Sequence, residues 1–486
     1  MTEHSRLKRN NGKHPGTATV LILTLVLLVA LGACQPAMLK SPADMVFHPV
    51  SFPFPQVEPV TLPNGMVLYL KEDHELPLIN LIAFLRAGSA YEPEDRLGLA
   101  SLTGVVMRTG GTRSLSGDEI NEKLEFIAAS METSMGREVG SASLSVLKKD
   151  REIGLHIFAD VLMYPVFAQD KVDLARNKEL EAIRRRNDDP QGIAFREFRR
   201  ILFQDNPRGR VPTLKTVSAI TREDMIAFHR KYVQPGTVIL GVSGDFERVE
   251  MIRTIEALFA EWAPAQVDIP SIPPQASPEK ISVHYAYKDL PQSTIVMGHP
   301  AMGKKHPDFF PFEVLNFILG EGGFRSRLMS EVRSNRGLAY SVGSVYNAEV
   351  DYGLFAVYCF TKSGSTLESI RLMLEIVRGL KEKGISPQEL EWAKSSIINN
   401  FIFEFTSPAQ IVRAQVGIAY DKLPQEFLQT YRDSIMAITV DDVNRVAEKY
   451  LHPDEMVVVV VGDENNFDGP LKKLGELREI KLEETL

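Results

Sequence analysis

Ile220-Thr221-Arg222-Glu223-Asp224, then Lys231-Tyr232, Pro235 and an apolar run closing on Gly244-Asp245, recurs later in the chain. The second copy reads Ile438-Thr439-Val440-Asp441-Asp442, Lys449-Tyr450, Pro453 and an apolar run closing on Gly462-Asp463. Every matched pair keeps the same offset of 218 positions. Ungapped agreement at a fixed period marks a duplicated structural unit. Each copy predicts a capped helix, a proline turn and a buried strand.

The repeat divides the chain into two homologous halves. Between them, residues 263–280 carry Pro264, Pro270, Pro273, Pro274 and Pro278 and read as an extended linker. The halves are therefore expected at 57–262 and 281–475. Apolar segments 60–62 and 66–70 flank Pro63-Asn64-Gly65, a hairpin signal. A strand is predicted over 79–87, stopping at Gly88. Ser116-Gly117-Asp118-Glu119 is a capping box that predicts a helix to about Ser130. Ala142, Leu144 and Val146 alternate with Ser141, Ser143 and Ser145, the period of a half-buried strand. Ser386-Pro387-Gln388-Glu389 opens a long helix in the second half. The fold class is α+β, with each half an antiparallel-rich sheet packed with helices.

The first residues are not expected to join that fold. Arg6, Lys8, Arg9 and Lys13 form a positive segment, an apolar run over 19–31 follows, and Leu31-Gly32-Ala33-Cys34 closes it. The run is short for a membrane span and suits a signal peptide. Its ending resembles a bacterial lipoprotein signal, which implies lipidation of Cys34 and a tether over 35–56. Gln35, in place of an Asp, favours the outer membrane over the inner one in such lipoproteins. With 44% apolar and 24% charged residues and a net charge of −8, the rest has ordinary globular composition. No basic stripe with interleaved aromatics appears, so nucleic acid is not an expected partner. Two cysteines cannot build a disulfide framework, and Cys359 falls in an apolar run as a core residue.

Gly88-Ser89-Ala90-Tyr91-Glu92, Gly98-Leu99-Ala100 and Thr109-Gly110-Gly111-Thr112 resemble the first segment of the pitrilysin/insulinase family of zinc peptidases. So do Asn206-Pro207-Arg208-Gly209-Arg210-Val211 and the repeat unit over 231–245. The likeness spans about residues 57 to 465. It implies the LuxS/MPP-like metallopeptidase fold, two halves enclosing a chamber. In active members the helix after Gly-Leu-Ala begins with H-x-x-E-H, two zinc-binding histidines on one helical face with a glutamate base between them. Here Ser101-Leu102-Thr103-Gly104-Val105 occupies that motif: Ser101 and Val105 replace the histidines and Gly104 the glutamate. The third ligand position falls on Ala182, beside Glu181. None of the ten histidines pairs with another at helical ligand spacing. No metal site is expected in this chain, and hydrolysis by it alone has no visible agent.

The second half departs less from the family. Gly320-Glu321-Gly322-Gly323-Phe324-Arg325-Ser326-Arg327-Leu328 and Glu331-Val332-Arg333-Ser334-Asn335-Arg336-Gly337-Leu338-Ala339-Tyr340-Ser341 match its C-terminal motif. The resemblance implies that Arg333 and Tyr340 reach a substrate carbonyl or oxyanion, for which a guanidinium and a phenol suit. From the residues alone, Arg333 as a helix-end cap and Tyr340 as a strand core residue remain open. Gly320, Gly322 and Gly323 resemble a substrate-contacting glycine loop of the non-catalytic processing-peptidase subunit; a helix-end turn is the other reading. Some bacterial relatives divide the labour between two subunits. The resemblance thus implies a non-catalytic, substrate-binding subunit of a heterodimeric zinc metallopeptidase facing the periplasm. Zinc and an intact H-x-x-E-H would belong to a homologous partner, and the substrate would be a peptide. The alternatives are a structural or peptide-binding scaffold, like the core subunits of the respiratory bc₁ complex, and a peptidase with an unrecognised site.

Overall fold

A computed structural model describes Phe54, residues 57–265 and residues 267–482. Cys34 and the expected signal segment lie outside the described residues. The first half is built on a six-stranded sheet: β1 (Pro59–Thr61), β2 (Val67–Glu72), β3 (Leu78–Leu85), β4 (Ser130–Met135), β5 (Gly140–Leu147) and β6 (Val238–Gly244). Its order is β1-β2-β6-β3-β5-β4. The second half repeats the plan with β7 (Ser282–Tyr287), β8 (Gln292–Ala301), β9 (Ala339–Ala348), β10 (Gly353–Lys362), β11 (Val457–Gly462) and β12 (Glu476–Glu479), ordered β12-β7-β11-β8-β10-β9. In each sheet the strand that closes the sequence repeat runs parallel to the first strand of the unit, β2 or β7, and antiparallel to the next, β3 or β8. The sheets differ at one edge: β1 is antiparallel to β2, whereas β12 is parallel to β7.

Local chemistry accounts for the elements. Asn64 turns the first hairpin by accepting from the backbone N–H of Met66 at 3.1 Å, and Gly65 takes φ +91°. Thr221 and Thr439 cap the helices Arg222–Tyr232 and Val440–Tyr450 with matching boxes through Asp224 and Asp442. The helix at the Ser116 box runs Gly117–Phe126, shorter than the sequence predicts. Ala128 then takes φ +52°, a left-handed turn that frees Ser130 to begin β4. β12 lies past the expected boundary at 475. Glu476-Leu477-Arg478-Glu479 is a polar edge strand and carries no apolar signal.

The halves exchange helices. The helix Pro190–Phe203, from the first half, lies on the outer face of the second sheet. The helix Pro408–Asp421, from the second half, lies on the first sheet, with Val412 and Val416 against Gly241 of β6. These helices have the same length and sit at the same 218-residue offset as the repeat. The continuous valine run of β11 follows from this exchange. Val458 and Val460 face the second half's own core, while Val457, Val459 and Val461 meet Ile193, Phe198 and Leu202 of the visiting helix. A strand covered on both faces reads as apolar throughout.

Candidate functional site

The helix Leu99–Thr109 carries the positions where relatives hold zinc. It starts at Gly98, whose φ of +103° suits glycine. Glu92 folds back onto that start and accepts from the backbone N–H groups of Gly98 at 3.0 Å and Ala100 at 2.5 Å. Burial pushes the Glu92 carboxyl up to about 7, while those two hydrogen bonds pull it down. In the sequence Glu92 is legible only as part of a motif; its cap over the helix start is a structural finding.

Four positions define the lost metal centre. Ser101 is half-buried, Val105 is 45% exposed and Ala182 is exposed on the helix Gln169–Arg185. Gly104 is buried against β4. A Cβ there would stand 2.5 Å from Met135 N and 2.7 Å from Ser134 C, and the Gly104 carbonyl accepts from Thr133 Oγ1 at 2.6 Å. The glutamate position is therefore closed by backbone and not merely vacant. Glu181 turns to Arg184 at 2.5 Å. Among the described residues, no group of three or more His, Cys, Asp or Glu side chains is placed to hold a metal ion. The residues do not fit the zinc that the family carries.

The second-half motif is arranged differently. Residues Met329–Asn335 form a π-helical turn that carries Arg333. The Arg333 guanidinium lies 5.0 Å from the ring centroid of Phe324 and 5.4 Å from that of Tyr340. Glu331, on the same turn, bonds Asn335 and Arg336. Tyr340 sits on a β-bulge: β10 pairs Phe360 with Ser341 and Thr361 with Ala339, skipping Tyr340. Bulges re-aim side chains, and Tyr340 stands 81% exposed and Phe324 67% exposed. The structure thus brings Arg333 and Tyr340 together at the surface and adds Phe324, a large exposed ring inside the motif. A guanidinium held between two rings keeps its outward N–H groups for a carbonyl or carboxylate.

The three glycines separate. A Cβ on Gly320 would meet Ser344 N at 2.2 Å, and one on Gly322 would meet the Trp392 ring at 2.4 Å. Both positions are fixed by close packing. Gly323 has φ +67° and open space beyond its Cα. Cys359 is fully buried, and burial pushes its thiol up to about 12.

Two models of one peptidase family match consecutive stretches of the chain: Insulinase (Peptidase family M16) over residues 70–216 and Peptidase M16 inactive domain over residues 219–397. An uncharacterised zinc protease of Mycobacterium leprae is 26% identical over 403 residues, covering 81% of this chain and 88% of its own. The non-peptidase homologue YmxG of Helicobacter pylori is 25% identical over 402 residues, covering 82% and 91%. The crystal structure of a peptidase M16 inactive domain from Pseudomonas fluorescens superposes with a TM-score of 0.78 at 26% identity, covering 84% of this chain and 98% of that one. This chain is an insulinase-family (M16) homologue of the inactive kind, with the family's fold and without its zinc motif.

Proposed function

We propose that this chain is the non-catalytic, substrate-binding subunit of a heterodimeric zinc metallopeptidase that acts on peptides or unfolded segments in the periplasm. The observation that carries the reading is a contrast within one chain. The helix Leu99–Thr109 has lost every zinc-motif residue, yet a half-buried Arg333 and an exposed Tyr340 stand together. A homologous partner with an intact H-x-x-E-H holds the zinc and its glutamate base, and the two subunits enclose the substrate chamber. When bound there, zinc supplies Lewis acidity and an activated water. This chain's part is to hold the substrate. The Arg333 fork and the Tyr340 hydroxyl donate hydrogen bonds to a peptide carbonyl whose oxygen gains negative charge. Gly323, open and without a side chain, lets a peptide backbone pass close. Lipidation of Cys34 anchors the subunit at the outer membrane.

The test is peptide cleavage by the reconstituted pair. Arg333→Ala or Tyr340→Phe lowers kcat by about 10²–10³-fold, the usual cost of one oxyanion donor, while size-exclusion chromatography shows the complex still forming. Wild-type cleavage by both variants sinks the proposal and leaves a structural or peptide-binding scaffold as the better reading, in line with a relative named as a non-peptidase homologue.

A further inference from the structure

The helix Phe309–Asn316 runs on into a π-helical turn, Phe317–Glu321, which leads directly into Gly322-Gly323-Phe324. Turns of this kind inside helices are frequent at functional sites. Phe324 is the ring beside which the Arg333 guanidinium rests, 5.0 Å from its centroid. The place of that ring therefore depends on how the π-turn is held.

A row of polar side chains holds it. The Tyr431 hydroxyl, from the helix Phe427–Ala437, donates to Glu313 Oε1 at 2.6 Å. Asn316, only 1% exposed, donates from Nδ2 to Glu321 Oε2 at 2.8 Å. Glu321 is the last residue of the π-turn and stands exposed. Two atoms in the row lack a partner, and both are acceptors: Glu313 Oε2 and Asn316 Oδ1 are each buried without a hydrogen bond. Glu313 and Asn316 stand three residues apart on one helix, the spacing at which side chains meet. Two bare buried acceptors are costly. One proton removes both costs. On Glu313 Oε2 it makes that atom a donor and gives Asn316 Oδ1 its missing bond.

The surroundings let that proton come and go near neutral pH. Burial pushes the Glu313 carboxyl up to about 7, the Tyr431 bond opposes this, and the like charges of Glu321 and Glu404 add to it. Glu404 follows directly on the helix Pro387–Phe403, and Tyr346 of β9 also feels the Glu313 charge. Among the described residues, no lysine or arginine forms an ion pair with Glu313, Glu321 or Glu404.

Ionisation changes what Asn316 must do. With the proton gone to solvent, Glu313 Oε2 is a bare, charged acceptor. The Asn316 amide, three residues on, carries N–H groups that can reach it. Turning that amide towards Glu313 takes Nδ2 away from Glu321. The end of the π-turn loses its tie, and the like charge of Glu313 pushes Glu321 outwards.

We propose that the row Glu313–Asn316–Glu321 is a proton switch for the Arg333 site. With Glu313 protonated the π-turn is tied and the Phe324 ring is held beside Arg333. With Glu313 ionised the turn is released and peptide binding weakens. The effect on binding rests on the reading of the chain as a peptide binder; the switch itself does not. Glu313 and Asn316 touch no peptide and are positioning residues.

Trp392 reads the switch without any ligand. A Cβ on Gly322 would stand 2.4 Å from its ring, and the Phe317 ring of the π-turn lies 5.2 Å from it between centroids. Trp262→Phe removes the chain's other tryptophan. In that background, Trp392 emission from the full chain is expected to shift between pH 5 and pH 8 along a one-proton curve. Glu313→Gln keeps an oxygen for Tyr431 and offers an N–H to Asn316, so it is expected to abolish the shift and hold emission at the low-pH value. Asn316→Ala is expected to abolish the shift while stability still changes with pH, because Glu313 titrates without passing the change on.

Binding is read by fluorescence anisotropy with a rhodamine-labelled, terminally blocked decapeptide of serine, leucine and glutamine, which carries no titrating side chain. Wild-type affinity is expected to fall by about tenfold between pH 5 and pH 8, within what the loss of one proton allows. In Glu313→Gln it is expected to stay level. Emission that does not move with pH, or that moves equally in Glu313→Gln, overturns the switch. So does an affinity that stays level in the wild type while the peptide binds. A one-proton emission shift with no peptide bound at any pH supports the switch and overturns the peptide-binding reading instead.

Discussion

Gly104 and Met135 touch as closely as helix and strand can: a Cβ on Gly104 would stand 2.5 Å from the Met135 backbone nitrogen. In relatives with a working centre the catalytic glutamate occupies the Gly104 position. Here the helix Leu99–Thr109 has settled onto β4, and restoring a side chain means pushing it off. Gly104→Ala should therefore destabilise, although alanine gains about 1 kcal/mol over glycine in a helix interior. Overpacking against backbone costs about 1–3 kcal/mol, at the upper end when neither element can yield. A net loss of about 2 kcal/mol is expected in urea melts. A stabilised Gly104→Ala protein would show that helix and strand are free to part.

Metal analysis should agree. The purified chain is expected to hold no stoichiometric zinc, because Ser101, Val105 and Ala182 offer no ligand. Ser101→His with Val105→His and Gly104→Glu should still fail to bind it, since the glutamate position is occupied by strand backbone. One tightly held zinc per wild-type chain would refute this account of the centre.

Tyr340 and Phe324 stand exposed and Arg333 lies half-buried beside their rings, outside any core, so their loss should cost the fold little. Arg333→Ala, Tyr340→Phe and Phe324→Ala are each expected within about 0.5 kcal/mol of wild type by chemical denaturation. A loss several times larger for Arg333→Ala would mean that the guanidinium is a structural clamp.

The sequence spoke clearly where backbone chemistry is local. The Thr221 and Thr439 caps, the Asn64-Gly65 turn and the alternation of β5 each need only a few neighbouring residues, and all formed. The duplication was legible because both copies kept their spacing. What it could not reveal depends on contacts far apart in the chain. Nothing in Pro190–Phe203 says that it will cover the other half's sheet, since its amphipathic stripe fits any apolar face. The valine run of β11 shows burial on both sides but not by what. Arg333 and Tyr340 stand out by motif, yet the exposure of Tyr340 goes with a bulge that no composition signals. The cavity between the halves, lined by Arg86, Arg137, Arg208 and Lys304 among others, draws its charges from six separate stretches of sequence. Even the close approach at Gly104 is invisible without β4 beside it.

The helix exchange should make the halves one folding unit. Phe198 is 1% exposed and reaches across to β8, where its ring stands 3.0 Å from the place of a Cβ on Gly298. Phe198→Ala is expected to cost about 3–5 kcal/mol, as for other buried aromatics. Wild-type unfolding should be a single transition by both fluorescence and far-ultraviolet circular dichroism, because neither half can close its sheet alone. Two resolved transitions in the wild type would show that the shared core does not couple them.

Stability should also fall as pH rises, and Glu313 is the clearest reason. Its Oε1 accepts from the Tyr431 hydroxyl at 2.6 Å, while Oε2 is buried with no partner. Burial pushes the carboxyl up to about 7 from an ordinary 4.5; the Tyr431 bond opposes this, and the like charges of Glu321 and Glu404 add to it. Glu321 and Glu404 are themselves held above the usual range, each chiefly by burial. The folded value lies above the unfolded one, so the neutral acid's contribution is fully present below pH 4.5. It is lost as pH climbs through about 7 and the folded protein must carry a buried charge. At about 1.4 kcal/mol per tenfold, the loss is on the order of 3 kcal/mol at most. Glu313→Gln keeps an oxygen for Tyr431 and removes the titration. Urea melts at pH 5 and pH 8 are expected to show wild type losing stability between them and the Gln variant losing less. If the two proteins change in parallel, Glu313 is already solvated when ionised, and the pH dependence belongs elsewhere.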